Sequence, residues 1–326
     1  MNARRLGFLL SGLLAFQLAQ RAALADPLGE SDALAWLQKI ATAARELSYS
    51  GTFVYQHGDQ METSRITHYV DRAGEIEKLE TLDGPRREVI RNQDEIVTFY
   101  ADSRMVRRER RAARRSFPAL LPDPLSSITD FYQVRRGGQD RIAGLDAQAL
   151  VLEPRDEFRY GHKLWADLNS GLLLKAKMVN ERHQVVEQFY FTQVNIGPVS
   201  KEAVRPGFVV PPMPARSAQP EVTSPAETGW VVRNSPAGFR KILEMSRVRR
   251  DGQGQVAHLV FSDGLAAVSV FIEPLPASRK VPDGLMHQGA LHIYSRSLPD
   301  QLVTVLGETP AATVVQMGNS VGPKGK

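Results

Sequence analysis

Residues 51–100 decide how the first half of this chain folds, and they read GTFVYQHGDQMETSRITHYVDRAGEIEKLETLDGPRREVIRNQDEIVTFY. Short apolar and β-branched runs alternate here with turn residues, at His57-Gly58-Asp59, Arg72-Ala73-Gly74, Leu82-Asp83-Gly84-Pro85 and Asn92-Gln93-Asp94. Turns roughly ten residues apart are typical of a meander of antiparallel strands. The pattern therefore predicts strands, among others, over residues 51–56, 65–71, 87–91 and 96–100.

A helix is predicted in front of this meander. Apolar residues recur at helical spacing from Leu34 to Leu47, and Ser31 is expected to cap the N-terminus. A short helix near residues 124–131 is followed by further predicted strands at 148–153, 162–168, 172–180 and 185–195. A curved antiparallel sheet wrapped on a helix can enclose an apolar cavity suited to acyl chains. Six aromatic residues would line such a cavity or simply fill a core: Phe53, Tyr55, Phe99, Trp165, Phe189 and Phe191.

A proline-rich segment divides the chain. Six prolines between residues 206 and 228 indicate a semi-rigid, extended linker. We expect an N-terminal domain over residues 26–205 and a C-terminal domain over 229–318, with residues 319–326 as a frayed tail. Strands are predicted at 230–233, 257–261, 266–273 and 303–308, before a helix at 310–317. The expected fold class is α+β in both halves, with a curved half-barrel wrapped on helices in the first.

The first 25 residues predict export. Arg4 and Arg5 precede an apolar run from Leu6 to Ala19, and residues 23–25 read ALA, so we place signal-peptide cleavage before Asp26. The alternative, an uncleaved membrane anchor, needs roughly 20 apolar residues, and this run is shorter. Cleavage removes Arg4, Arg5 and Arg21, which lowers the formal net charge from +5 to 5 − 3 = +2. We therefore expect no stable membrane insertion.

The absence of cysteine further limits the kinds of functional site that this chain can form. It excludes disulfides, thiol nucleophiles and the acylated cysteine of a lipoprotein. No nucleophile elbow, zinc-protease motif or phosphate-binding loop is present either. His287 and His292 lack further ligands at metal spacing. Asp156, Glu157 and Asp167 are interpreted as strand-surface carboxylates that pair with Arg155, Arg159 and Lys163. The sequence predicts no catalytic residue, cofactor or metal site, and no enzyme.

An arginine run, RMVRRERRAARR at residues 104–115, interrupts the near-balanced charge and is followed by SFPALLP. One interpretation is a solvated edge strand protected against aggregation. The other is a site for an anionic lipid or acidic partner, with the candidate residues Arg107, Arg108, Arg111, Arg114, Arg115, Phe117 and Leu120. Nucleic acid is not expected as a partner, because the chain is exported and its mature net charge is only +2.

Several segments together resemble the MucB/RseB family. They are distributed in order over both halves of the chain: Gly51–Tyr55, Arg159–Gly161, Leu164–Asp167, Gly171–Lys175, Glu187–Phe189, Phe191–Gln193, Phe261–Leu265, Val270–Leu275 and Val303–Glu308. These segments are structural signatures and include no catalytic motif. The arginine run matches none of them, so the resemblance assigns it no role.

The resemblance implies a periplasmic negative regulator of the envelope-stress sigma factor. Such a protein binds the periplasmic part of a single-span anti-sigma factor, MucA/RseA-like, and shields it from site-one proteolysis until mislocalised lipid or lipopolysaccharide relieves the inhibition. The N-terminal domain is then expected to be similar to the carriers LolA and LolB. A periplasmic lipoprotein or lipid carrier is the alternative, although a carrier has no evident use for the C-terminal domain. The oligomeric state stays open, with a homodimer among the options.

Overall fold

The computed structural model describes residues 26–27, 29–92, 95–103, 105–110, 121, 125–208, 224–225, 227–248, 254–276 and 281–325. The predicted signal peptide and most of the predicted linker lie outside these ranges. Within them, two large antiparallel sheets dominate, one in each half of the chain. None of the helices in the described ranges has the length and apolar character needed to cross a membrane.

The N-terminal sheet contains twelve strands. They are β1 (Asp26–Pro27), β2 (Tyr49–His57), β3 (Gln60–Asp71), β4 (Gly74–Thr81), β5 (Arg87–Arg91), β6 (Glu95–Tyr100), β7 (Met105–Arg110), β8 (Tyr132–Ile142), β9 (Leu145–Pro154), β10 (Gly161–Asp167), β11 (Leu173–Val179) and β12 (Val185–Ile196). Their spatial order is β1-β8-β9-β10-β11-β12-β2-β3-β4-β5-β6-β7. Two meanders, β2–β7 and β8–β12, therefore join where the last strand β12 pairs with β2.

This long-range pairing contains a bulge that requires glycine. The register between β12 and β2 shifts between Phe191 and Gln193, which pair with Phe53 and Thr52, and Gly51 follows as the partner of Val194. A Cβ on Gly51 would lie 2.6 Å from the carbonyl oxygen of Gln193 and 2.8 Å from the Phe191 ring. Only glycine lets the two backbones approach so closely at a bulge.

Helix α1 (Glu30–Glu46) covers one face of the sheet and confirms the predicted first helix. Leu37 and Ile40 of its apolar stripe are fully buried in the same core as Tyr49 and Phe191. A short α2 (Ser126–Phe131) and a 3-10 helix (Lys201–Val204) complete this half. The prediction of Ser31 as N-cap is wrong. Gly29 holds that position and accepts the first helical hydrogen bond, from Ala33 N–H at 2.9 Å, so Ser31 falls inside the first turn.

The C-terminal half has a seven-stranded sheet in the order β13-β15-β16-β17-β20-β19-β18. Its strands are β13 (Ser224–Pro225), β15 (Arg240–Val248), β16 (Gln255–Ser262), β17 (Ala267–Pro274), β18 (Gly284–Gln288), β19 (Leu291–Leu298) and β20 (Gln301–Gly307). Helix α3 (Ala311–Asn319) buries Val314 and Met317 against this sheet. The predicted fold class is confirmed: the protein is α+β, with an open curved antiparallel sheet packed on helices in its first half.

The prediction of a frayed C-terminus is wrong. Strand β21 (Val321–Pro323) pairs antiparallel with β14 (Trp230–Val232), and Val321 is buried. The sequence after Asn319 carries few apolar residues, so its order comes from backbone hydrogen bonds to a distant strand. At the other boundary, β13 lies within the predicted linker and pairs with β15.

Candidate functional site

The structure divides the arginine run. Residues 105–110 form β7, which is the last strand in the order of the N-terminal sheet and pairs with β6. Arg107 and Arg108 are both exposed, and Arg108 Nη1 lies 3.4 Å from Glu95 Oε1 on β6. Because successive side chains on a strand point to opposite faces, these two arginines extend to different sides of the sheet. Arginines on an edge strand are compatible with both interpretations of the run, protection of the edge and binding of an anionic ligand.

The other candidate residues of this region, Arg111, Arg114, Arg115, Phe117 and Leu120, lie outside the described residues. The structure resumes at Leu121, which is buried in the N-terminal core together with Leu125. The described part of the run, residues 105–110, therefore belongs to the last strand of the sheet, and the described chain in front of α2 belongs to the core.

Most of the aromatic residues proposed to line a cavity are core residues. Phe53 and Phe191 pack edge to face with their ring centroids 5.9 Å apart, and Phe189 and Trp165 are equally buried. Together with α1 the three phenylalanines fill the interior of the curved sheet near β2 and β12, whereas Trp165 lies on the other face, where Lys163 and Lys175 contact its ring. Tyr55 is the exception, since 36% of its surface is exposed. The packing therefore favours a filled core over a lined cavity at this end of the sheet.

Arg159 joins the two halves of the chain. Its guanidinium is completely buried and donates to Asp263 Oδ2 at 2.8 Å, to Asp156 at 2.9 and 3.0 Å, and to the carbonyl oxygen of Ala237 at 2.5 Å. Asp156 belongs to the N-terminal half, whereas Ala237 and Asp263 belong to the C-terminal half. The interpretation of this charge cluster as a strand surface is therefore wrong for Arg159, because the second domain covers it.

Aromatic rings enclose this ion pair. The guanidinium lies 4.6 Å from the ring centroid of Phe131 and 5.3 Å from that of Phe239. The Tyr132 hydroxyl donates to Asp263 Oδ2 at 3.3 Å, and burial, followed by the charge of Asp263, raises the tyrosine's pKa. His162 packs against the Tyr132 ring, and burial lowers its pKa to about 4. Rings on both sides exclude water, which strengthens the electrostatic contacts between the two domains.

Of the remaining candidates, Asp167 and His292 make structural hydrogen bonds. Asp167 accepts hydrogen bonds from the backbone N–H and hydroxyl of Ser170, both at 2.7 Å, and so stabilises the turn between β10 and β11. Glu157 is exposed. His287 and His292 are cross-strand neighbours on β18 and β19, and His292 Nδ1 lies 2.8 Å from the carbonyl oxygen of Thr309.

A further cluster, of possible metal-ligating side chains, was not predicted from the sequence. His57, Glu187 and Glu308 bring ligand atoms within 4.8 Å of one another where the two halves meet. His57 and Glu187 are opposite each other on β2 and β12, and Glu308 follows β20. Because these residues are widely separated in the sequence, no spacing pattern could have revealed them.

These features define a class: a two-domain, mostly β protein whose halves are joined by a buried ion pair. The chain belongs to the MucB/RseB family. Residues 32–213 match the family's N-terminal domain, and residues 224–322 match its C-terminal domain. This is a family of regulatory binding proteins rather than enzymes.

Individual relatives agree with this assignment. The chain is 33% identical to the sigma factor AlgU regulatory protein MucB of Pseudomonas aeruginosa, over 99% of this chain and 98% of the relative. It is 25% identical to the sigma-E factor regulatory protein RseB of Haemophilus influenzae, over 87% and 89%. A crystal structure of MucB in complex with MucA(peri) superposes with a TM-score of 0.72, at 31% identity over 91% of this chain and 100% of that one.

Proposed function

We propose that this protein is a periplasmic negative regulator of an envelope-stress sigma factor. It binds the periplasmic segment of a single-span anti-sigma factor and shields that segment from site-one proteolysis. The observation that carries the proposal is the similarity to MucB solved with MucA(peri), because it extends over both domains of this chain. The predicted signal peptide before Asp26 supports a periplasmic location.

The mechanism is a linkage between two binding equilibria. Binding lowers the free, cleavable fraction of the anti-sigma segment by the factor 1 + [L]/Kd, where L is this protein. A lipid that prefers the partner-free form weakens partner binding, and the partner weakens lipid binding by the same factor. Typical coupling energies of about 1–3 kcal/mol correspond to roughly 5- to 150-fold relief of inhibition.

A reconstituted protease assay tests the proposal. Purified mature protein is titrated into a mixture of site-one protease and the purified periplasmic anti-sigma segment. We expect the cleavage rate to fall in proportion to the fraction of segment bound, with an unrelated peptide substrate of the same protease as control. Unchanged cleavage at saturating protein would overturn the proposal. Lipid binding without any protection would instead identify a carrier.

We further propose that the arginine run binds the anionic group of the relieving amphiphile. In this arrangement Arg107, Arg108, Arg111, Arg114 and Arg115 hold the headgroup while acyl chains enter past Phe117 and Leu120. The exposed arginine edge at β7 and the buried Leu121 beyond it support this order of charged and apolar contacts.

The five arginines are tested by changing them together to glutamine. We expect weaker binding of lipopolysaccharide and a shallower dependence of the affinity on salt, because fewer charge contacts are screened. A matched control removes the same charge from five exposed arginines elsewhere, namely Arg45, Arg141, Arg155, Arg182 and Arg205. Equal affinities of the two variants would mean that the run only protects a sheet edge.

A further inference from the structure

The two domains make a second contact, where the turns after β2 and β18 lie beside the ends of β2 and β20. The turn after β2 contains Gly58, and the turn after β18 contains Gly289. Both glycines have positive φ, +57° and +59° respectively. A Cβ on Gly289 would lie 3.3 Å from His57 Nε2, so the turn from the C-terminal domain presses against this imidazole. The other ring nitrogen, Nδ1, faces Glu187 and Glu308.

The distances around His57 Nδ1 suit a shared central atom better than direct contacts. Nδ1 lies 3.9 Å from Glu187 Oε2 and 3.8 Å from Glu308 Oε1. Hydrogen bonds between nitrogen and oxygen are about 2.7–3.2 Å long, so neither separation is a hydrogen bond. Ligands about 2.0–2.2 Å from a tetrahedral zinc ion stand roughly 3.3–3.5 Å apart. Side-chain rotations that close these two separations by about half an ångström, and that draw the two carboxylate oxygens together from within 4.8 Å, reach that geometry.

The charge of the cluster is also suited to a cation. Both carboxylates face the same space, and Glu187 is only 25% exposed. The ligand oxygens of the two carboxylates lie within 4.8 Å of each other, close enough for their like charges to repel. Tyr55 contacts Glu187 as well, and as a neutral hydroxyl it adds no positive charge to offset the two acids. A bound cation would remove the repulsion between the two carboxylates.

We propose that His57, Glu187 and Glu308 bind a divalent transition-metal ion of the zinc class at the contact between the two domains. One nitrogen and two carboxylate oxygens are a ligand set that zinc accepts, and a water molecule completes four-coordination. Magnesium and calcium prefer oxygen ligands alone, so the histidine selects against them. Because Glu308 comes from the C-terminal domain and the other two ligands from the N-terminal domain, the ion holds the domains together.

Zinc binding to the chelator-treated, full-length mature protein tests this proposal. We expect one Zn²⁺ ion per chain in a competition titration against a chromogenic chelator, and a higher midpoint of thermal unfolding with Zn²⁺ present. Mg²⁺ and Ca²⁺ should produce neither effect. Changing His57→Gln or Glu308→Gln should weaken Zn²⁺ binding at least tenfold and abolish the rise in the midpoint. Far-UV circular dichroism establishes that each variant is folded.

Two matched controls separate this site from other zinc ligands. His287→Gln removes one member of the neighbouring histidine pair, and Glu181→Gln removes an exposed carboxylate of the same domain as Glu187. Both controls should bind Zn²⁺ as tightly as the wild type. The proposal is overturned if the wild type does not bind Zn²⁺, or if binding survives in His57→Gln and Glu308→Gln. Loss of binding in His287→Gln alone would assign the ion to the histidine pair.

Discussion

Replacing Arg159 by methionine should destabilise the protein strongly, because the change leaves a buried carboxylate without its cation. The side chains of Arg159 and Asp263 are both 0% exposed, and their hydrogen bond is 2.8 Å long. Removing one partner of a buried ion pair costs about 3–5 kcal/mol, since the remaining charge stays desolvated. A loss of that size lowers the unfolding midpoint by roughly 6–20 °C in domains of this size.

The measurement is urea unfolding followed by tryptophan fluorescence, with Arg155→Met as the matched control. Arg155 is exposed, and its side chain donates a hydrogen bond to the carbonyl oxygen of Thr129 at 3.3 Å. We expect the control to change the unfolding free energy by no more than about 0.5 kcal/mol.

A second variant isolates the uncompensated charge. Asp263 Oδ1 also accepts hydrogen bonds from the backbone N–H groups of Leu265 and Ala266, at 2.9 and 2.8 Å. Asparagine keeps an acceptor oxygen for these groups but carries no charge. The double variant Arg159→Met/Asp263→Asn should therefore lose less stability than Arg159→Met alone. If Arg159→Met costs no more than Arg155→Met, the argument from a buried inter-domain ion pair is refuted.

The other two predictions concern pH and backbone packing. The pKa of His162 is about 4 in the folded protein and 6.5 for an ordinary histidine, so the unfolded chain gains a proton first as the pH falls. The unfolding free energy should decline between pH 6.5 and 4, by up to about 3 kcal/mol from this residue. The decline should be smaller in His162→Gln. Equal pH profiles of the unfolding free energy in the two proteins would contradict this prediction. Gly51→Ala should cost about 1–3 kcal/mol in urea unfolding, because the new methyl group meets the carbonyl oxygen of Gln193. Gly138→Ala, where nothing lies within 4 Å of the added Cβ, is the control, and equal losses in both variants would show that the bulge tolerates a side chain.

Much of the local structure could be predicted from the sequence. The regular turns of residues 51–100 predicted strands that correspond to β2, β3, β5 and β6, and helical spacing predicted α1. Strands β8 and β15 gave no clear signal, because β8 carries two glycines and several charges and none of the residues of β15 is buried. Strands of this kind are recognised by their hydrogen-bonded neighbours rather than by apolar alternation.

The candidate sites depended on tertiary structure to different degrees. The arginine run was visible because its charge is local, and the structure adds that its first part is an edge strand. Arg159 was visible as a charge but not as a buried one, since its burial depends on Phe239 and Asp263 in the other half of the chain. His57, Glu187 and Glu308 gave no signal at all.

By itself, the sequence determined the strand-rich character of both halves, the first helix, the lack of any cysteine chemistry and the resemblance to a regulatory family. Local turn chemistry and hydrophobic periodicity depend on residues that are close in the sequence, so the sequence alone reveals them. Only the tertiary structure decided that β12 closes onto β2, that β21 orders the C-terminus, and that the two domains meet at Arg159 and at His57. These contacts join residues that are distant in the sequence, and no local sequence pattern predicts such long-range pairing.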